Sequence, residues 1–304
     1  MSLSGSLILL ALGIIMPCTA TPSPNPYDTI VDAIMTRYHL PGIAVGVIEH
    51  GKVVYTATRG ETVAGSGRRI TTQTQFKIAS NSKAMTTALL ARLIDEGKLH
   101  WDDPVTRYLP DFRMYDAWVT ANMRVADLLA HSSGLPEGGG DLMLWPEPND
   151  FTRADIIHGL RFIKPGYSFR SRYQYDNLLY VVAGEVAAAA GGAPYETLMR
   201  REVFEPLGLS RCVLGEGSGD VAQPHAREGE RNVPLHDVAS SMTTSAAAGG
   251  IRCDLDDMLR WAGNWLTPTP AQLQWLSEQQ RRVLQSPHML MPVSGQRRSW
   301  TTPT

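Results

Sequence analysis

The order of patterned segments predicts an α+β fold, in which an antiparallel sheet seeded by one early hairpin accompanies a helical subdomain. Three observations carry this. Gly42 to Ile48 (GIAVGVI) and Lys52 to Thr58 (KVVYTAT) are rich in β-branched residues and flank Glu49-His50-Gly51, which reads as a β-hairpin. From Asn81 to Glu96, Met85, Leu89, Leu90, Leu93 and Ile94 recur at helical spacing, and Gly97 supplies a stop. Helical patterns dominate the remainder, and strands segregated from helices argue for α+β.

Taken in order, Ile30, Val31, Ile34 and Met35 predict a helix from Tyr27-Asp28 to about His39, with the Asp28 carboxylate as its cap. His50 falls in the hairpin turn and reads as a polar turn residue. Further helices are expected at Arg124–Ala130, Ala154–Phe162, Asn177–Ala190, Tyr195–Glu205 and Asp254–Trp265. Gly138-Gly139-Gly140 and Gly215 to Gly219 mark flexible loops. A lone hairpin is marginal in water, so the sheet needs more strands, and the chain offers few candidates.

The N-terminus has its own character. Leu7 to Met16 is a ten-residue apolar run, too short for a bilayer, which takes about 20 residues. Small residues follow at Cys18-Thr19-Ala20, although no Lys or Arg precedes the run. This predicts a signal peptide over residues 1–20, a proline-rich linker over 21–27, and a periplasmic or secreted protein without a stable membrane anchor. Cys18 leaves with the signal. Cys212 and Cys253 could pair in an oxidising compartment, and the sequence leaves that open.

The 304 residues are 43% hydrophobic and 19% charged, with a net charge of −2. Arg68-Arg69, Arg200-Arg201 and Arg297-Arg298 are isolated pairs, so no basic surface for nucleic acid is expected. No H-E-x-x-H pattern occurs among the eight histidines, and no metal or organic cofactor is implied.

Chemistry concentrates at two places. Ser80-Asn81-Ser82-Lys83 stands at the first turn of the Asn81–Glu96 helix, where residues three apart are neighbours at about 5–6 Å between Cβ atoms. A serine hydroxyl needs a base, and a lysine serves as one only when burial or another positive charge keeps it neutral. The alternative is that Ser80 caps the helix and Lys83 is solvated. Tyr175-Asp176-Asn177 precedes the apolar run LLYVVAGEV; a tyrosine can relay a proton and an amide can orient a carbonyl or hold a lysine. The alternative there is a buried Tyr175 with Asn177 as a helix cap.

Phe76-Lys77-Ile78-Ala79-Ser80-Asn81-Ser82-Lys83, then Leu128-Leu129-Ala130-His131-Ser132-Ser133-Gly134-Leu135-Pro136, then Tyr175-Asp176-Asn177, resemble successive signatures of the class C β-lactamase-like serine hydrolases. That family includes penicillin-binding DD-peptidases, D-aminopeptidases and esterases. Leu99 to Pro110 and Ala246 to Trp261 resemble later segments of the same family. The resemblance covers roughly residues 28–293, leaving 294–304 as a tail. It implies a β-lactamase/transpeptidase-like fold with Ser80 as nucleophile, Lys83 and Tyr175 managing its proton, and Asn177 binding the acyl amide. The Ser80 N–H would supply half of an oxyanion hole, and His131 would be structural. The substrate would be a small molecule or short peptide with an amide, β-lactam or ester bond.

The family's third motif, K-T-G or H-x-G on a strand, has its nearest match in Val293-Ser294-Gly295, which lacks the basic residue. The reading is therefore of a domain missing its C-terminal strands, with weakened catalysis and self-association through an open sheet edge. The rival expectations are a non-catalytic penicillin-binding or sensor-like protein and an inactive remnant.

Overall fold

The computed structural model describes residues 25–145, 150–215, 217, 219–235 and 244–290. Helix α1 (Pro26–Tyr38) is followed by strands β1 (Gly42–Glu49) and β2 (Lys52–Gly60), which pair antiparallel. The hairpin turn places His50 at φ 49° and Gly51 at φ 75°, the left-handed pair that matches strand twist in a two-residue turn. Asp28 does not cap α1. Asn25 does, accepting from the Tyr27 N–H at 3.0 Å. Asp28 instead accepts from Tyr55 Oη at 2.8 Å and Arg59 Nη2 at 2.7 Å, and Asp32 accepts from Arg59 Nε at 2.9 Å. These cross-links tie α1 to the hairpin and hold the Asp28 carboxyl below its ordinary pKa, the Tyr55 bond foremost.

Strand β3 (Phe76–Lys77) leads through a 3₁₀ turn (Ala79–Asn81) into α2 (Ser82–Asp95). The short α3 (Ala117–Asn122) follows. The helix expected at Arg124–Ala130 does not form; only a 3₁₀ turn at Ala126–Leu128 is present. Its amides are taken up elsewhere. Val125 N and Ala126 N donate to Asp103 O and Trp101 O, both at 3.0 Å, and Arg124 N donates to the Asp127 carboxylate at 2.8 Å. That carboxylate is also gripped by Arg170 through Nε at 2.7 Å and Nη2 at 2.6 Å.

Helices α4 (Arg153–Gly159) and α5 (Leu178–Gly191) come next. The expected Tyr195–Glu205 helix is realised as α6 (Tyr195–Met199), a π-helical stretch (Arg200–Phe204) and α7 (Glu205–Leu207). Three short strands follow: β4 (Val213–Leu214) and the hairpin of β5 (His225–Glu228) with β6 (Arg231–Pro234). The described chain ends with α8 (Ala246–Gly249), β7 (Ile251–Cys253), α9 (Leu255–Leu266), α10 (Pro270–Trp275) and α11 (Glu278–Gln285). Strand β7 lies between β3 and β4, antiparallel to both. Cys212 and Cys253 form a disulfide at one end of this small sheet, which resolves the pairing the sequence left open.

Helices α2 and α5 cross in the centre of the main core, where Met85, Leu89, Leu90 and Leu93 are buried with Leu178, Val182 and Val186. Helix α9 covers β1 so closely that a Cβ on Gly46 would lie 2.7 Å from Leu259, which explains a glycine inside that strand. Among the described residues β1 pairs only with β2. No single described helix is long and apolar enough to cross a membrane. The expected signal, residues 1–20, and Val293-Ser294-Gly295 lie outside the described residues.

Candidate active site

The 3₁₀ turn before α2 presents Ser80 at the protein surface. Ala79, just before it, holds φ 47°, a left-handed conformation that a non-glycine residue adopts only where its surroundings enforce it. Ile78 supplies part of that enforcement, donating its N–H to Ile251 O at 3.0 Å and so extending the β3–β7 pairing up to the turn. Three bonds then pin the first turns of α2 to the α8–β7 segment. Ile251 N donates to Ser82 Oγ at 3.1 Å, Thr86 Oγ1 to Ala247 O at 2.7 Å, and Lys83 Nζ to Ala248 O at 2.8 Å.

The structure brings together all four residues singled out from the sequence. Ser80 Oγ lies 2.6 Å from Tyr175 Oη and 3.2 Å from Lys83 Nζ. Lys83 is buried and donates to Asn177 Oδ1 at 2.8 Å. Its ammonium sits 4.8 Å from the Tyr175 ring centre and 5.3 Å from that of Tyr180, on the side of each ring that attracts a cation. Of the two alternatives, the solvated lysine does not fit this geometry, and the Asn177 cap fits in position only. Lys83 is not solvated, and the Asn177 side chain makes no capping bond to α5. Asn177 holds the N-cap position, but the side-chain bond to the first turn comes from Asp176, whose buried carboxylate accepts from Leu179 N at 2.9 Å and from Ser133 Oγ at 3.2 Å. Burial pushes the Asp176 carboxyl up to about 6.

His131 supports this arrangement from behind. Its ring packs 4.6 Å from the Tyr175 ring and 5.4 Å from both Tyr173 and Tyr180. Its backbone carbonyl accepts from Gln174 N at 2.7 Å, and its Nδ1 accepts from Asp176 N at 3.3 Å. Burial, aided by the nearby Lys83 charge, lowers its pKa to about 4, so the imidazole is neutral near pH 7.

Two contributors were not legible as site residues. The Ala248 carbonyl is a backbone group and carries no side-chain signature. Asp141 begins a 3₁₀ turn (Asp141–Met143) and lies with both carboxylate oxygens near Asn177 Nδ2, at 3.3 and 3.4 Å. The one available signal was the run Gly138-Gly139-Gly140 directly before it, which reads as a loop. An apolar groove lined by Ala84, Thr87, Trp101, Tyr180, Trp261 and Trp265 also runs beside α2, and none of the four residues lines it. Among the described residues no group of His, Cys, Asp and Glu side chains is placed to hold a metal ion.

Comparison with known proteins places the chain in a family. The profile of the family described as Beta-lactamase matches residues 27–303. The chain is 28% identical over 268 residues to the unguisins hydrolase ungD' of Aspergillus campestris, covering 82% of this chain and 48% of that protein. It is 26% identical over 281 residues to the D-alanyl-D-alanine-carboxypeptidase/endopeptidase AmpH of Escherichia coli, covering 88% and 69%. An octameric penicillin-binding protein homologue from Pyrococcus abyssi superposes with a TM-score of 0.70 at 25% identity, over 84% of this chain and 58% of that one. The chain thus spans about half the length of the fungal relative. With the family profile covering almost all of the described residues, and a penicillin-binding protein homologue sharing the fold, the chain belongs to the Beta-lactamase family.

Proposed function

We propose that this chain is a serine hydrolase that opens an amide, β-lactam or ester bond through an acyl-enzyme on Ser80. The observation that carries the reading is the placement of Ser80 Oγ within hydrogen-bonding reach of both Tyr175 Oη and Lys83 Nζ, from segments 95 residues apart. Two of the Lys83 nitrogen's bonding directions are filled by Asn177 Oδ1 and Ala248 O, which leaves the remaining one for Ser80. In the neutral form its lone pair faces the serine proton.

Attack forms the Ser80 Oγ–carbonyl bond and moves the carbonyl π electrons onto oxygen, while the serine proton passes to Lys83, directly or through Tyr175. Collapse breaks the bond to the leaving nitrogen or oxygen, and the same proton goes to that atom. Water then repeats the sequence on the acyl-enzyme and restores Ser80. The Asn177 amide stands where it can meet the acyl part of the substrate. The left-handed Ala79 turn exposes the nucleophile while Lys83 stays buried. Relatives named as a hydrolase and a carboxypeptidase/endopeptidase support the reaction class.

The test is intact-mass measurement after incubation with benzylpenicillin and with an activated ester. A Ser80-dependent adduct is expected, absent in Ser80→Ala and formed roughly 10²–10⁴ times more slowly in Lys83→Ala, the range for loss of a positioned base. A cooperatively folded chain that takes no adduct, or takes the same adduct in Ser80→Ala, would overturn the reading. An adduct that forms and then persists would favour the penicillin-binding, sensor-like alternative over turnover.

A further inference from the structure

We infer that Asp141 makes the acyl side of this site selective for substrates carrying a positively charged amine, an inference that rests on the acyl-enzyme reading above. Asn177 is oriented by its two neighbours. Its carbonyl oxygen accepts from Lys83 Nζ at 2.8 Å, and its amide nitrogen faces both oxygens of Asp141 at 3.3 and 3.4 Å. Asp141 thus lies one side chain away from the amine that touches Ser80 Oγ. The two contacts are long, and a carboxylate has about four acceptor positions, so most of its capacity is unfilled. No Lys, Arg or His among the described residues lies within ion-pair distance of it. The residue is part-exposed, open to a ligand that supplies the missing charge.

The backbone that carries this carboxylate is also held in place. Gly140 has φ 86°, and a Cβ there would lie 2.5 Å from Leu178 Cδ2, so the loop rests directly on the first residue of α5. Leu144 N and Trp145 N both donate to Asp141 O at 2.8 Å, closing the turn. The field of Asp141 reaches inward as well, adding to the burial that raises the Asp176 carboxyl. A carboxylate on a braced turn, with no cation beside it among the described residues and next to the amide offered to the acyl group, is suited to an ammonium. The chemical class is an acyl donor with a free amino group close to the reacting carbonyl, such as an amide or ester of an amino acid with an unblocked N-terminus, or a β-lactam with an amino-substituted side chain.

The test uses three penicillins that differ at one position: benzylpenicillin, its α-amino derivative and its α-carboxy derivative. Acylation rates are measured by intact mass at a pH where the amine is charged. The wild-type chain should acylate with the amino compound about tenfold or more faster than with benzylpenicillin, the scale of one favourable charge contact in a partly desolvated site. Asp141→Asn should bring that ratio to about one, and Asp141→Lys should favour the carboxy compound. Ratios within one variant cancel any general loss from a displaced Asn177. Equal rates for the amino and unsubstituted compounds in the wild type, or a ratio unchanged in Asp141→Asn, would overturn the inference while leaving the hydrolase reading intact. Absence of Ser80-dependent acylation by all three would overturn both.

Discussion

The α2–α5 half of the molecule and the β1–β2 hairpin are held together in different ways. In the helical half, Met85, Leu89 and Leu90 are each 0% exposed, as are Leu178 and Val182 opposite them. The hairpin buries only Tyr55 and Ala57, which meet Val31 of α1, all at 3 to 8% exposure, and Ile43, Val45 and Val47 on β1 are part-buried. The contacts there are largely polar instead: Tyr55, Asp28, Arg59 and Asp32 form one connected chain of hydrogen bonds and ion pairs. All four candidate residues belong to the helical half, on the turn entering α2, on α2 itself and on the loop entering α5. A site that needs atoms held within hydrogen-bonding distance sits where side chains are locked by close packing.

The strongest way to break the helical half is Leu89→Ala. It opens a cavity in a fully packed centre and should cost about 3–5 kcal/mol in urea unfolding. Labelling of Ser80 should be lost at the same urea concentration as the global fold. A cost below about 1 kcal/mol would mean that this core collapses around the gap and is less rigid than its burial implies.

A second test sharpens the comparison through pH. His131 is buried neutral, with its pKa lowered to about 4, so its contribution destabilises the fold as pH falls from the unfolded value near 6.5 towards 4. Asp176 is raised to about 6, above its unfolded value, so the folded state takes up its proton first and this contribution favours the fold as pH falls from 6 towards 4. The two neighbours oppose each other over nearly the same window. Removing the histidine in His131→Gln should therefore make the variant gain on the wild type, by about 2–3 kcal/mol, as the pH of the urea titration is lowered from 7 to 4. The lost packing adds a constant offset. A difference between the two proteins that does not change with pH would show that His131 does not titrate as a buried group.

The smallest effect is expected from Arg59→Ala, because ion pairs in contact with solvent contribute little. Its thermal midpoint should fall less than that of Leu89→Ala, and Ser80 labelling in the native protein should be unchanged. A large loss of labelling would show that the hairpin and the site are coupled after all.

Most of the local structure was legible in the sequence because it is local. Alternating β-branched residues around His50-Gly51 specify the hairpin, and helical spacing specifies α2, α5 and α9 within a residue or two of each end. The S-x-x-K spacing also places Lys83 beside Ser80, since residues three apart meet across one helical turn. Sequence pattern failed where a backbone amide or a carboxylate had a distant partner. Arg124–Ala130 has a helical pattern, yet its amides bond to Trp101 and Asp103. Asp28 stands where a cap belongs, yet Tyr55 and Arg59 claim it.

By itself, then, the sequence determined the α+β class, the main helices, the hairpin and the adjacency of Ser80 and Lys83, because propensity and periodicity act over a few residues. Only the tertiary structure decided that Tyr175 and Asn177 close on that pair, that Cys212 meets Cys253, and that Asp141 faces Asn177. Those are contacts between segments 36 to 95 residues apart, and they depend on how helices and loops pack.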